Sequence, residues 1–178
     1  MNLIRIILSV VLLAMPSQAI AQENALEFLK ALSGTFKGQG TATIPATNRE
    51  ERVSCKLENT FNNEKNMLAI NGLCATTQGK TDVEGELHIT QEGALEGWFF
   101  SPSSELEVTK SETEIKDKVL IISTVLVNKK DGSTKQNRQL ITLQDGKDSF
   151  VSSFESYQSE TDDYKEIGSV TFKLRGDK

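Results

Sequence analysis

The stretch RVSCKLENTFNNEKNMLAINGLC, residues 52–74, decides the fold. Apolar and polar side chains alternate with a period of two on both sides of its central Asn- and Lys-containing segment, which is the pattern of two strands that each bury one face. A turn centred between Glu64 and Lys65 pairs apolar positions with apolar positions, and the same register places the only two cysteines, Cys55 and Cys74, opposite each other. We therefore predict a hairpin closed by a Cys55–Cys74 disulfide, with two buried free thiols as the alternative.

The segment that follows has the same hairpin pattern. Val83, Leu87 and Ile89 share one face of a strand, and Leu95 and Phe99 share a face of the returning strand. The loop between them, Gln91-Glu92-Gly93, has its glycine where a bulged turn needs a left-handed residue. Asp-Gly and Asp-Asp pairs separate further predicted strands, which together with the strand before the first hairpin lie near residues 35–44, 105–116, 118–128, 134–143, 147–157 and 166–175.

About ten antiparallel strands in simple succession favour an up-and-down β-barrel, because closing the sheet removes its exposed edges. Glycines at inner strand positions allow the strands to curve. A β-sandwich is the alternative. A short helix over residues 24–33, capped by Asn24 and ended by Gly34, is predicted to precede the first strand. No linker or internal repeat divides the chain, so residues 22–178 are predicted to form one all-β domain.

The N-terminus has the three parts of an export signal. Arg5 is followed by the apolar run Ile6–Met15, and Ala19-Ile20-Ala21 places small residues at the two positions that a signal peptidase recognises. The run is about half the length that a spanning helix needs, so a retained anchor is the less favoured interpretation. We expect residues 1–21 to be removed, and the mature chain, starting at Gln22, to be periplasmic or secreted.

The charge of the chain limits its partners. The 25 acidic and 20 basic residues give a net charge of −5, and removal of residues 1–21, which carry Arg5 and no acid, moves it from −5 to −6. This charge disfavours nucleic acid and anionic lipid surfaces, since both attract basic proteins. No other apolar stretch approaches spanning length, so no membrane insertion is expected after signal cleavage.

The segment Leu32-Ser33-Gly34-Thr35-Phe36-Lys37-Gly38-Gln39-Gly40, which follows the predicted helix, resembles the first strand of the calycin superfamily, the lipocalins and their nitrobindin-like relatives. In those families a Gly-x-Trp, often followed by Gly-x-Gly, closes the base of the barrel, and Phe36 stands here at the Trp position. A basic residue late in the last strand commonly packs on that aromatic ring, a part that Arg175 would take. The resemblance implies a lumen that binds a small apolar ligand, with candidate lining residues Phe36, Leu57, Ile70, Leu87 and Phe99.

The nitrobindin-like branch would further imply haem, ligated by a histidine near the C-terminus. The only histidine, His88, lies far from the C-terminus and alternates out of phase with Leu87 and Ile89, so it should point outward. We therefore predict no haem and no other cofactor.

No arrangement of catalytic residues stands out. His88 is the only histidine available as a general base for a hydrolytic triad. With Glu84, Glu86 and Glu96 it offers a possible metal-binding face, but a solvated polar face of a strand is the favoured interpretation. The acids Glu96 and Glu105, on either side of Trp98-Phe99-Phe100, are a weak candidate for a glycosidase pair. We expect no enzymatic activity and no metal site.

Two regions carry more apolar surface than one buried face requires. Trp98 and Phe100 fall on the face opposite Leu95 and Phe99, and the strand Val119–Val127 is apolar on both faces. The N-terminal helix could cover this surface, or a partner could, which makes Trp98 and Phe100 a candidate partner surface.

The sequence thus predicts an exported protein with a lipocalin-like barrel that binds a small apolar ligand. The alternative is a protein-interaction module, such as a periplasmic enzyme inhibitor that binds an envelope protein. A lumen with free space would favour the first function, and a lumen filled by side chains would favour the second.

Overall fold

The computed structural model describes residues 17–44, 48–146 and 148–176. The chain begins with one helix, α1 (Ser17–Ala31), and continues with strands only. These are β1 (Gly34–Ile44), β2 (Arg49–Asn62), β3 (Met67–Thr76), β4 (Gly79–Ile89), β5 (Leu95–Trp98), β6 (Leu106–Lys116), β7 (Val119–Asn128), β8 (Thr134–Leu143), β9 (Ser149–Gln158) and β10 (Asp163–Leu174). Across the described residues, no helix combines the length and the apolarity that crossing a membrane would require.

The ten strands form one antiparallel sheet in the order β5-β4-β3-β2-β1-β10-β9-β8-β7-β6. The pairing of the first strand, β1, with the last, β10, makes the sheet continuous, and the sheet curls into a nearly closed barrel. The seam lies between β5 and β6, where the Thr113 hydroxyl donates a hydrogen bond to the carbonyl oxygen of Leu95. The predicted up-and-down barrel is confirmed.

The register of the first hairpin is as predicted. Phe61 lies opposite Leu68, and Cys55 lies opposite Cys74. The two sulfurs form a disulfide between residues whose Cα atoms are 4.1 Å apart. The carboxamide oxygen of Asn62 accepts the backbone N–H groups of the following turn, which explains why the chain reverses there.

The helix begins earlier than predicted. It starts at Ser17 rather than near residue 24, so Asn24 lies inside it and does not cap it. The preceding residues include Ala, Gln and Glu, which favour helix, and no breaker separates them from the apolar pattern. The predicted cleavage point before Gln22 therefore falls within α1, and residues 1–16 of the predicted signal peptide lie outside the described residues.

The helix closes one end of the barrel. We call this the lower end; it carries the turns at residues 63–66, 90–94 and 117–118, and the upper end carries the loops at 77–78, 99–105 and 129–133. Phe28, Leu29 and Leu32 of the α1 segment are buried in the same cluster as the inward side chains of the strands. The helix had been one of two alternatives for covering the outward face of β7; the short connection to β1 instead holds it across the lower end, where it packs mainly against β3 and β4.

The interior above the helix is filled by stacked aromatic rings. Phe150 lies at the centre, with its ring centroid 5.0 Å from that of Phe36, 5.5 Å from that of Phe99 and 4.7 Å from that of Phe172. All four side chains are at most 1% exposed. The lower half of the barrel is therefore a packed core and has no open lumen.

Candidate functional site

The upper half of the barrel contains a cavity of about 250 Å³. Most of its lining is apolar, and it comes from the end of β5, from the β5–β6 connection and from β6 to β10. The lining residues are Trp98, Phe100, Ser101, Pro102, Leu106, Val108, Ile122, Thr124, Leu126, Asn137, Arg138, Gln139, Phe154, Glu155 and Ile167. This volume is slightly below the size range of most small-molecule sites, roughly 300–1,000 Å³, so only a small ligand would fit.

Phe100 separates the cavity from the packed core. Its ring lies parallel to that of Phe154, with centroids 5.8 Å apart, and it also approaches Phe99 (4.9 Å) and Phe172 (6.5 Å). The segment that carries Phe100 lies close to β4 because Gly85 has no side chain; an added Cβ there would overlap the carbonyl group of Phe99. Because residue 85 has no side chain, the backbone after β5 can approach β4 closely, and Phe99 and Phe100 point into the barrel.

A few polar groups interrupt the apolar lining. Asn137 and Gln139 project from the inward face of β8, and Thr124 projects from the inward face of β7. Gln139 is 8% exposed, and its amide nitrogen donates a 3.3 Å hydrogen bond to the hydroxyl of the fully buried Ser152. These carboxamide and hydroxyl groups can orient a ligand that has one polar end.

The two charged residues next to the cavity face away from it. Arg138 alternates with the inward Asn137 and Gln139, and Glu155 lies directly opposite it on β9, so both side chains project from the outer face. There a guanidinium nitrogen is 2.7 Å from a carboxylate oxygen, and the guanidinium carbon lies 3.7 Å from the ring centre of Tyr164 on β10. The polar side chains that face the cavity in the described part of the chain are therefore uncharged.

The five predicted lining residues lie together, but in the packed core. Each of them is inward-facing, as predicted, and at most 1% exposed. None of them contributes to the wall of the cavity in the described part of the chain. Alternation identified their face correctly, but it did not indicate which end of the barrel is filled. The five residues are Phe36, Leu57, Ile70, Leu87 and Phe99.

The two residues predicted as a partner surface are separated. Trp98 is half-buried at the seam, where it lines the cavity and also an outer groove beside Glu86 and His88. Phe100 does not lie on the outer face: β5 ends at Trp98, so strand alternation no longer applies, and the next two rings both turn inward. The expectation of a joint outward surface is therefore wrong for Phe100.

His88 points outward, as predicted. Its side chain is 41% exposed, and its Nε2 atom lies 3.5 Å from a carboxylate oxygen of Glu96, its partner across the hairpin. Over residues 17–44, 48–146 and 148–176, no group of three metal-ligating side chains comes together.

Arg175 does not take the part that the family resemblance implied. Its backbone N–H donates to the carbonyl oxygen of Thr35, and its exposed side chain alternates with Leu174, the partner of the inward Phe36, so it belongs to the outer face. The residue opposite Phe36 on β10 is Leu174 instead. The buried Phe36 ring therefore packs on phenylalanine, and Arg175 is free for the outer surface.

Comparisons with known proteins support the fold alone. The crystal structure of Rv2717c from M. tuberculosis superposes with a TM-score of 0.57, covering 85% of this chain and 97% of that one at 14% sequence identity. No protein-family model matches the chain, and no curated protein matches it. The likeness is consistent with a calycin-like barrel, and no family match assigns the chain to the calycins.

Proposed function

We propose that this chain is an exported protein whose barrel binds a small apolar ligand in its upper cavity. The observation that carries the proposal is the cavity itself: about 250 Å³ of space with apolar walls, in a barrel whose lower half is packed solid. The Cys55–Cys74 disulfide supports export, because such bonds persist in oxidising compartments.

The size of the cavity restricts the ligand. At the packing density of protein interiors, a cavity of about 250 Å³ holds about ten non-hydrogen atoms. The polar groups on β7 and β8 favour one hydroxyl, carbonyl or similar group on an otherwise apolar molecule. The uncharged side chains that face the cavity disfavour a charged ligand, since none of them would compensate a buried charge.

The straight-chain alcohols provide a graded test. Trp98 is the only tryptophan and lines the cavity, so its fluorescence should report occupancy directly. We expect affinity to rise about fourfold for each added methylene, up to a chain of about nine carbons that fills the cavity, and then to level off or fall. A Trp98 emission that no alcohol changes would favour the interaction-module function instead.

A matched pair of variants locates the site. Thr124→Phe places a ring in the cavity, whereas Ser123→Phe adds the same ring on the outward face of the same strand. We expect Thr124→Phe to weaken nonanol binding by at least tenfold and Ser123→Phe to leave it unchanged. Equal binding by both variants would contradict the assigned site, and melting curves of both proteins verify that each is folded.

A further inference from the structure

Three lysines lie side by side on the outer surface of the barrel. Lys37 on β1 is directly opposite Lys173 on β10 and directly opposite Lys56 on β2. All three side chains are exposed. Directly opposed residues of antiparallel strands are about 5 Å apart, so the three lysine side chains start from a row across three strands. Arg175, two residues beyond Lys173 on the same face, extends this row, which we call the basic row.

The basic row is unfavourable for the isolated barrel. Like charges that face each other across strands repel, and none of the three lysines pairs with a carboxylate of the described residues within 4 Å. Other surface lysines do have such partners: Lys110 pairs with Glu112, and Lys116 pairs with Glu114. Two acids lie on the same face, Glu58 two residues along β2 from Lys56 and Asp82 opposite Leu73 on β4, and neither is within 4 Å of a described lysine or arginine nitrogen.

The same surface carries an exposed apolar side chain. Leu73 is 37% exposed and lines a shallow outer groove together with the basic row. Leu174, which is 40% exposed, lies opposite the inward Phe36 and so does not belong to this face. Leu73 lies directly opposite Lys56 on the neighbouring strand β3, so it is adjacent to the basic row.

We propose that the basic row docks this protein on an anionic lipid surface. Cations in a row complement a plane of negative headgroups, and the exposed Leu73 beside them can enter the apolar boundary of the bilayer, which is the combination that interfacial binding requires. An acidic polypeptide would also match the charge, but it gives no reason for the adjacent leucine to be exposed. The net charge of −5 describes the whole chain and conceals this local concentration of positive charge.

Sedimentation with lipid vesicles tests the proposal. The full chain is mixed with phosphatidylcholine vesicles that either contain phosphatidylglycerol or lack it, at about 0.01 M and about 0.15 M salt. We expect binding to the anionic vesicles only, and weaker binding at the higher salt concentration. The triple variant Lys37→Gln, Lys56→Gln and Lys173→Gln should bind about a hundredfold more weakly, since each lysine near such a surface contributes about fivefold.

A charge-matched control variant tests whether the loss of binding is specific to the basic row. Lys130→Gln, Lys135→Gln and Lys165→Gln remove the same three charges from exposed positions elsewhere, and this variant should bind within threefold of the parent. All proteins share residues 1–21, so that segment cancels from the comparison. Leu73→Ser should reduce the binding that remains at the higher salt concentration.

Three results would overturn the proposal. The first is equal loss of binding in the two triple variants, and the second is equal binding of the parent to both kinds of vesicle. The third is tighter binding to poly-glutamate than to anionic vesicles, which would make an acidic polypeptide the partner.

Discussion

At the scale of single residues, the disulfide is the feature on which sequence and structure agree most closely. Cys55 and Cys74 are direct cross-strand neighbours, and the bond closes a loop with a sequence separation of 19. A loop of this length is expected to contribute about 3 kcal/mol by restricting the unfolded chain. The bond therefore supports a hairpin that strand pairing already holds.

We expect the double variant Cys55→Ala, Cys74→Ala to fold and to melt about 6–12 °C lower than the oxidised parent. A reductant should lower the melting temperature of the parent by a similar amount and leave the variant unchanged. Ser54→Ala, at an exposed neighbouring position, is the control. Two free thiols in the denatured, unreduced protein would contradict the assigned bond.

Strand alternation predicts the inward position of some core residues but not of Phe100. The inward position of Phe36 and Leu57 follows from alternation, which the regular strands obey. The inward position of Phe100 does not, because it depends on β5 ending at Trp98 and on the space that Gly85 leaves for the backbone of Phe99. Both are tertiary effects, so a local pattern could not reveal them.

At the scale of elements, the contact between α1 and the barrel rests on one buried amide as well as on apolar packing. The side-chain nitrogen of Asn59 on β2 donates a 2.8 Å hydrogen bond to the carbonyl oxygen of Leu32, just beyond the end of the helix. Asn59 is 3% exposed, and its other polar atom, Oδ1, has no partner among the described residues. The bond to Leu32 therefore fixes where the helix enters the lower end.

Asn59→Ala should reduce the free energy of unfolding by about 1–2 kcal/mol, because it leaves the Leu32 carbonyl without its donor. It should also speed tryptic cleavage after Lys30, which is exposed in α1 and becomes accessible when the helix separates from the barrel. Asn71→Ala, at an exposed position of β3, is the control. Equal cleavage of the two variants would show that Asn59 does not hold the helix.

Sequence patterns predicted most of the strands within a few residues but placed the start of α1 seven residues too late. Turn residues mark the ends of the strands, such as Asp131-Gly132 before β8. The segment Ser17–Glu23, in contrast, contains no helix-breaking residue that would mark where α1 begins. The site was predicted less well than the fold. Of its two main walls, β7 was predicted only as a strand apolar on both faces, and β8 only as a strand.

At the scale of the whole molecule, the barrel divides its interior unequally. Helix α1 and the phenylalanine cluster fill the lower half, and the space that remains lies under the upper loops. The apolar inner face of β7 contributes to both halves. Ile122 and Leu126 line the cavity, and Leu120 lies in the core below it. The proposed function depends on the upper space being truly unoccupied by side chains.

Anomalous diffraction from a crystal pressurised with xenon measures that space most directly, because xenon enters apolar cavities of this size. We predict a strong xenon peak in the upper half of the barrel, bounded by Phe100, Ile122 and Leu126. Ordered side chains filling that volume, with no xenon among them, would contradict the central claim that this barrel holds a ligand.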